Sequence, residues 1–551
     1  MAVIEVNIND LFRLLGKNLS EEELKEYLLK IKAELEEREG DNIKIEIKDF
    51  NRPDLLSVEG IVRELKGILN IETGIPTYKI ENTDYEIIVD KSIINIRPYI
   101  ACAIVEDVKL GKEGFSSLIQ LQEKIMQSFG RKRRKIAIGT HNFDLIEFPI
   151  YYKAVYPREI KFVPLYGIRE MYLDEILKET ETGKKYSYIL EGKEKYPILL
   201  DSKGEVISFP PIINSNRIGR IDENTKNIFI DVTGTDFNSV IVALNILVTA
   251  LADRGGKIKS VIIKYPDKII RTPILKIEEK EFDLNKIKKL TDLDLNNDEI
   301  VKLLNKKRID AEILNGKIIL RYLNYRFDLI SEYDIVEEIV TAYGYENIEP
   351  KKVKIYTKGC ISNDRKFINK IRGIMIGIGA VELYTTTLVG NEINKLFLDK
   401  DRKMIELINP VSSYYNTIRV SLLSSFMQVL SLNKSLELPA SFFEVGKVGY
   451  IHKNSLIEET NLLFLYIDSK VSFNYAKSVL ERLFKEINME YELRKEEVPF
   501  LIKGRSGGIY VRNEKVGWIG EINPEILDSL EITYPMVGFE ISLSKLTKYL
   551  K

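Results

Sequence analysis

The chain has 551 residues, 44% hydrophobic and 30% charged, with 82 Lys and Arg against 83 Asp and Glu. At roughly 150 residues per domain this predicts three or four soluble domains, and a net charge of −1 excludes a globally basic nucleic-acid binder, so any RNA contact must come from a local patch or a partner chain. Two distant cysteines (Cys102 and Cys360) and two distant histidines (His141 and His452) exclude a disulfide framework and a Cys-rich zinc module, and leave few candidates for a catalytic His.

The first residues carry no basic leader or long apolar run, and the most apolar window, 240–252, is interrupted by Asn245 and too short to cross a bilayer. A cytoplasmic protein is expected. In chain order, 1–20 reads as a strand and a turn. Ser20–Glu23 forms a capping box for a helix carrying Leu24, Leu28, Ile31 and Leu35. Ile43–Ile47 alternates as a strand, Asn51–Asp54 as a turn, and 58–69 as a helix. A linker is expected over 80–95.

From 95 to 265 strands dominate: 101–105, 136–138, 198–200, 228–232 and 260–263. Helices are expected over 117–129 and 240–252. Beyond Pro273, short helices precede a hairpin whose turn is Asn315-Gly316, a strong hairpin signal. A helix over 333–343 stops at Gly344. A second linker is expected at 351–358, followed by helices and strands, the latter at 404–408, 441–445, 462–467 and 508–511.

The densest chemistry lies at 328–338. On a helix Asp334, Glu337 and Glu338 span an arc of roughly 100°, and Asp328 can fold back toward them. Such carboxylates repel unless neutralised. A hard cation with oxygen ligands, Mg²⁺, would do so; a solvated acidic first turn favoured by the helix dipole is the ordinary alternative. A second group gathers polar side chains at strand ends: Ser208, Asn214, Asp231 and Thr235, with Leu199 nearby. This pattern suits a ligand pocket, although Asn214 could simply close a turn and Thr235 cap a helix. Arg131–Lys135 is a dense basic run that suits phosphate or a solvated helix end. No Walker loop is present, and Gly377–Glu382 sits in a helical pattern.

Several segments together resemble the beta chain of phenylalanyl-tRNA synthetase of the archaeal and eukaryotic type. They are Asn51–Gly60 with Arg63–Leu65, Phe209–Ser215, Thr225–Asp236, the acidic cluster with Tyr343–Ile348, Asn409–Ser412 with Arg419–Leu423, and Phe443–Lys447, in the family's order over nearly the whole chain. The resemblance implies a multidomain α+β protein: an N-terminal α+β domain (1–90), an editing α/β domain of B3/B4 type (91–268), a small winged-helix-like Mg²⁺-binding domain of B5 type (269–350), and an inactive class II synthetase-like antiparallel-sheet domain (351–551). It implies an (αβ)₂ heterotetramer that attaches phenylalanine to tRNA(Phe), with ATP used by the alpha subunit. Phe442-Phe443-Glu444 lacks the Arg of a class II ATP site.

The resemblance also gives Asp328, Asp334, Glu337 and Glu338 a role as ligands of a structural or interfacial Mg²⁺. It makes 95–265 a module hydrolysing tyrosine wrongly attached to the tRNA. Leu199, Ser208 and Asn214 match the family's pocket positions; Asp231 and Thr235 join them on the geometry of the strand end. With no His or Cys near in sequence, a positioned water helped by the tRNA's ribose hydroxyl is the expected agent. The alternatives are a freestanding deacylase and a scaffold without chemistry.

Overall fold

A computed structural model describes residues 2–352, 355–433 and 435–549. The chain divides into two compact units, 1–351 and 352–551.

In the first unit, Ala2–Asn7, Asn42–Ile47 and Ala33–Glu39 form a three-stranded antiparallel sheet in that order. A helix at Ile8–Leu15, capped by Asn7 and ended by left-handed Gly16, occupies what the sequence suggested was a turn. The capping box at Ser20 forms. Its helix stops at Leu29, because Lys32 turns left-handed (φ 61°) and sends Leu35 into a strand instead. The helix Val58–Ile68 is buried on nearly every side.

The large sheet has eleven strands. Nine run Ile213–Asn214, Val206–Phe209, Tyr196–Leu200, Ile150–Val155, Glu86–Val89, Lys257–Lys264, Tyr99–Glu106, Ile228–Gly234 and Ile136–Asn142. The expected linker at 80–95 is therefore partly structural: Ile80–Glu81 and Glu86–Val89 pair in parallel with Lys257–Lys264. Their short apolar alternation was too brief to stand out from the polar residues around it. The apolar helix runs Phe237–Asp253 and is capped by Asp236. It packs on the strands Tyr99–Glu106 and Ile228–Gly234.

A smaller sheet in the same unit orders Ile277–Asp283, Lys317–Leu323 and Asp310–Leu314. Its hairpin turns at Asn315 and Gly316, both left-handed (φ 51° and 76°), as an Asn-Gly turn requires. Helices Leu284–Thr291, Asn297–Lys306 and Glu332–Tyr343 pack beside it around Ile287, Leu304, Leu320 and Ile339.

The second unit is an eight-stranded sheet. Its main path runs Val381–Glu382, Ala440–His452, Ser455–Ile467, Met536–Ser542, Glu514–Ile522, Leu501–Val511 and Glu492–Lys495. Alternation divides the long strands between two cores. Leu462 and Phe464 face the helices Asn363–Gly377 and Phe473–Glu486. Leu463, Leu465 and Ile467 face Leu422–Leu432. The strand expected at 404–408 is absent; only Glu406 makes an isolated bridge, to Thr417. Arg402–Lys403 pairs instead.

Candidate functional sites

In the first unit a cavity of about 280 Å³ opens beside the strand Ile136–Asn142. Apolar walls come from Phe115, Met126, Ile138 and Ile213, and polar groups from Gln122, Arg133, Ser208, Asn214 and Asp231. The register explains the convergence. Ser208 pairs with Asn214 across one strand pair, and Asp231 faces Gly139 across another. Ser208 Oγ is buried and has no hydrogen-bond partner among the described residues. The Asn214 amide reaches the Thr140 carbonyl at 3.4 Å, near the limit of a hydrogen bond. Arg133 donates to the carbonyls of Pro211 and Ile212 and pairs with Glu123 at 2.7 Å. Its guanidinium lies 4.3 Å from the Tyr186 ring centre.

Three of the five sequence-derived pocket residues, Ser208, Asn214 and Asp231, meet at this cavity. Leu199 does not line it; its side chain is in the core with Phe229 and Ile207. Thr235 is exposed and lines a neighbouring open hollow with Arg131, Lys132, Arg134, Lys135 and Tyr188. The helix cap is Asp236, not Thr235. The basic run is no helix end either: the helix stops at Gln127, and Arg131, Lys132 and Arg133 are consecutively left-handed.

No His lies near this pocket in sequence, but the sheet brings His141 beside Asp231. His141 Nε2 lies 2.6 Å from Asp231 Oδ2, with both side chains buried. Ninety residues separate them in sequence, but antiparallel pairing sets them diagonally on one face. Behind them Arg97 donates to Thr233 Oγ1 and the Thr233 carbonyl. Burial lowers the Arg97 guanidinium to about 10, with Tyr152 and then Asp231 opposing that fall.

The acidic cluster splits between two tasks. Asp334 Oδ2 accepts from the amides of Ile330 and Ser331 and from the Ser331 hydroxyl, closing the helix start. Glu337 is half exposed and lies 3.2 Å from Lys32 Nζ. Asp328 and Glu338 turn inward. Arg326 grips Asp328 through Nε at 2.9 Å and Nη2 at 2.8 Å, and reaches Glu338 at 3.1 Å. From the N-terminal segment Arg52 grips Asp54 in the same way, at 3.0 and 2.8 Å, and pairs with Glu64 at 3.0 Å. Lys307, Lys32 and Arg52 approach Glu338 at 3.2, 3.5 and 3.8 Å.

Burial alone would raise the Glu338 carboxyl. Lys307 and Arg326 outweigh it, with Lys32 and Arg52 behind them, and hold the carboxyl well below the usual carboxylate range. Thus the neutralisation that the sequence suggested a divalent ion would supply comes, at Glu338, from four cationic side chains. Among the described residues no group of three or more His, Cys, Asp or Glu is arranged to hold a metal ion.

Comparison with known proteins gives a consistent assignment. A family model described as the phenylalanyl tRNA synthetase beta chain CLM domain matches residues 348–543, and one described as the tRNA synthetase B5 domain matches 280–345. The phenylalanine–tRNA ligase beta subunit of Pyrococcus horikoshii is 41% identical over 100% of both chains. That of Archaeoglobus fulgidus is 37% identical over 99% of this chain and 98% of the other. The chain belongs to the phenylalanine–tRNA ligase beta subunit family. A crystal structure of an N-terminal fragment of the Pyrococcus horikoshii beta subunit also matches, at 46% identity and a TM-score of 0.61, over 62% of this chain and 100% of that one.

The B5 match contains the acidic cluster, so its fit to a cation matters. Four carboxylates are a hard donor set that suits Mg²⁺. Glu338 Oε2 is buried without a hydrogen bond among the described residues but faces Lys307 Nζ at 3.2 Å, and Glu337 is exposed beside Lys32. Asp328 and Asp334 are already engaged.

The CLM match covers the sheet of the second unit. There Glu444, which follows Phe442 and Phe443 rather than an Arg, is buried and held by Arg419 at 2.8 Å and by Thr385 at 2.6 Å. Nearby Glu540 is bound by Ser421 and by Asn461, and burial pushes its carboxyl up. Both carboxylates are committed to the beta chain's own side chains. Among the described residues no helix is long and apolar enough to cross a membrane.

Proposed function

We propose that this chain works with a phenylalanine–tRNA ligase alpha chain in an (αβ)₂ heterotetramer, where the alpha chain attaches phenylalanine to tRNA(Phe) with ATP and this chain proofreads. In this reading the cavity of the first unit hydrolyses tyrosyl-tRNA(Phe), the four domains divide as 1–90, 91–268, 269–350 and 351–551, and the assembly acts in the cytoplasm. The supporting observation is the cavity itself: apolar walls that suit an aromatic ring, with an unpartnered Ser208 hydroxyl and the Asp231 carboxylate at hand.

The need is physical. A pocket built for phenylalanine rejects a ring bearing one more hydroxyl by only about 10². A second pocket that hydrogen-bonds that hydroxyl selects the error. Ser208 and Asp231 supply the acceptors, and Asn214 and Arg133 supply polar groups for the ester end. Water attacks the ester carbonyl, the bond to the ribose oxygen breaks, and that oxygen takes a proton, leaving tyrosine and free tRNA. The ribose hydroxyl beside the ester helps place the water. Asn214→Ala in the assembled enzyme should slow tyrosyl-tRNA(Phe) hydrolysis at least tenfold; an unchanged rate removes this site.

Asp328, Asp334, Glu337 and Glu338 would hold Mg²⁺ in competition with Arg326 at Asp328 and with the Ile330 and Ser331 amides at Asp334, and the ion would supply rigidity rather than chemistry. Its binding competes with Lys32 and Lys307 for Glu337 and Glu338. Calorimetric titration of the assembled, EDTA-treated enzyme should show Mg²⁺ binding that Glu337→Gln weakens. Identical isotherms for the two proteins would remove Glu337 from the set.

A further inference from the structure

We propose that His141 is a positioning residue that holds Asp231 as a fixed, acceptor-only carboxylate, so that the cavity discriminates a phenol hydroxyl from a bare ring. The inference rests on the proofreading reading of the cavity. Asp231 lines the cavity, whereas His141 lies behind it, fully buried. His141 therefore acts through Asp231 and does not reach the ester.

The hydrogen-bond inventory fixes the proton. His141 Nδ1 is buried and has no hydrogen-bond partner among the described residues. A charged imidazolium would bury an N–H without an acceptor, and so would a ring protonated only on Nδ1; orphaned buried N–H groups are the rarer kind. The remaining form is neutral, with the hydrogen on Nε2 donated to Asp231 Oδ2 across 2.6 Å. Asp231 is then the anion, and Arg97, bonded to Thr233 two residues on, supplies the compensating buried positive charge. With Oδ2 held by His141, Oδ1 has no hydrogen bond among the described residues and is left for a ligand. An anionic oxygen accepts from a phenol but has no partner on phenylalanine, so a phenyl ring would leave a buried charge without a ligand bond.

Gly139 is the enabling position. A Cβ there would lie 2.2 Å from Asp231 Oδ2 and 2.6 Å from His141 Nε2. Only a residue without a side chain lets the pair close. The backbone at Gly139 is not left-handed, so space rather than torsion explains the glycine.

The test uses the assembled alpha–beta enzyme and two substrates, tyrosyl- and phenylalanyl-tRNA(Phe). His141→Met removes the donor and keeps bulk; His141→Gln restores an N–H toward Asp231. The expected result for His141→Met is a fall of about tenfold or more in the ratio of tyrosyl to phenylalanyl ester hydrolysis, the loss expected for one hydrogen bond to a charged group. His141→Gln should recover most of that ratio. Thermal melts of both variants separate a packing defect from a change in selection: a common drop in stability with different ratios supports the proposal. A His141→Met ratio equal to wild type, or equal losses in both variants, overturns it. If the wild-type enzyme leaves tyrosyl-tRNA(Phe) intact, the proofreading reading itself fails. If Asp231→Asn loses selection while His141→Met keeps it, only the His141 inference fails.

Discussion

Glu338→Gln removes one charge from a densely charged interior of the first unit while preserving shape, and it keeps one acceptor oxygen while turning the other into a donor. The carboxylate is 1% exposed and stands within 4 Å of Arg326, Lys307, Lys32 and Arg52. Without it, those four cations keep Asp54, Glu64 and Asp328 as their buried counter-charges, with Asp49 and Glu337 further out. Uncompensating a buried ion pair costs about 3–5 kcal/mol. At about 2.1 cal/mol/K per residue, a cooperative unit of 351 residues would melt roughly 4–7 °C lower.

The assay is calorimetry in EDTA, so that no added cation compensates. The pH dependence has a definite sign. Glu338's folded pKa lies below its unfolded value of about 4.3. Its contribution is therefore present in full above that value and lost as pH falls toward the folded one. The deficit of Glu338→Gln should be flat from about pH 6 to 8 and shrink in acid. Adding Lys307→Met to Glu338→Gln should restore part of the loss, by about 1–3 kcal/mol of coupling. A melting shift under 1 °C, or strictly additive losses in the double variant, would refute the electrostatic account.

Gly60→Ala should also destabilise, by about 1–3 kcal/mol or more. Its Cβ would fall 1.7 Å from the Asp54 carbonyl oxygen, and backbone cannot step aside as a side chain can; a melting point equal to wild type would show that the helix slides to relieve the clash. The second unit should contribute no ATP site: equilibrium dialysis of the chain without its alpha partner should show no ATP binding tighter than millimolar, since Glu444 and Glu540 are both occupied internally. Saturable micromolar binding would mean that those carboxylates release their partners for a nucleotide.

How much of this was visible beforehand depended on whether the signal was local. The capping box at Ser20, the Asn315-Gly316 turn and the alternation of 198–200 or 228–232 are each decided by a few adjacent residues, and each forms where expected. Leu35 misled because helical spacing ran past Lys32, whose left-handed backbone no periodicity reveals. Leu199, named by resemblance, packs with Phe229 and Ile207, while its strand neighbours Ile198 and Leu200 face a second core on the other side of the sheet.

The two charged sites show the same limit at longer range. Arg52-Pro-Asp54 lies in what reads as a turn and Arg326-Phe-Asp328 carries no motif, yet each folds its Arg back onto its own Asp two residues later. Only tertiary packing brings the two grips together around Glu338. An acidic run read without its basic partners therefore looks like a demand for a metal. His141 and Asp231 carry the same lesson: a strand register, not a motif, makes them neighbours. The glycine at 139, unremarkable in a run of apolar residues, is the one local sign that something must close above it. A strand glycine facing a buried carboxylate and a buried imidazole implies that the pair, rather than the backbone, is what that position protects.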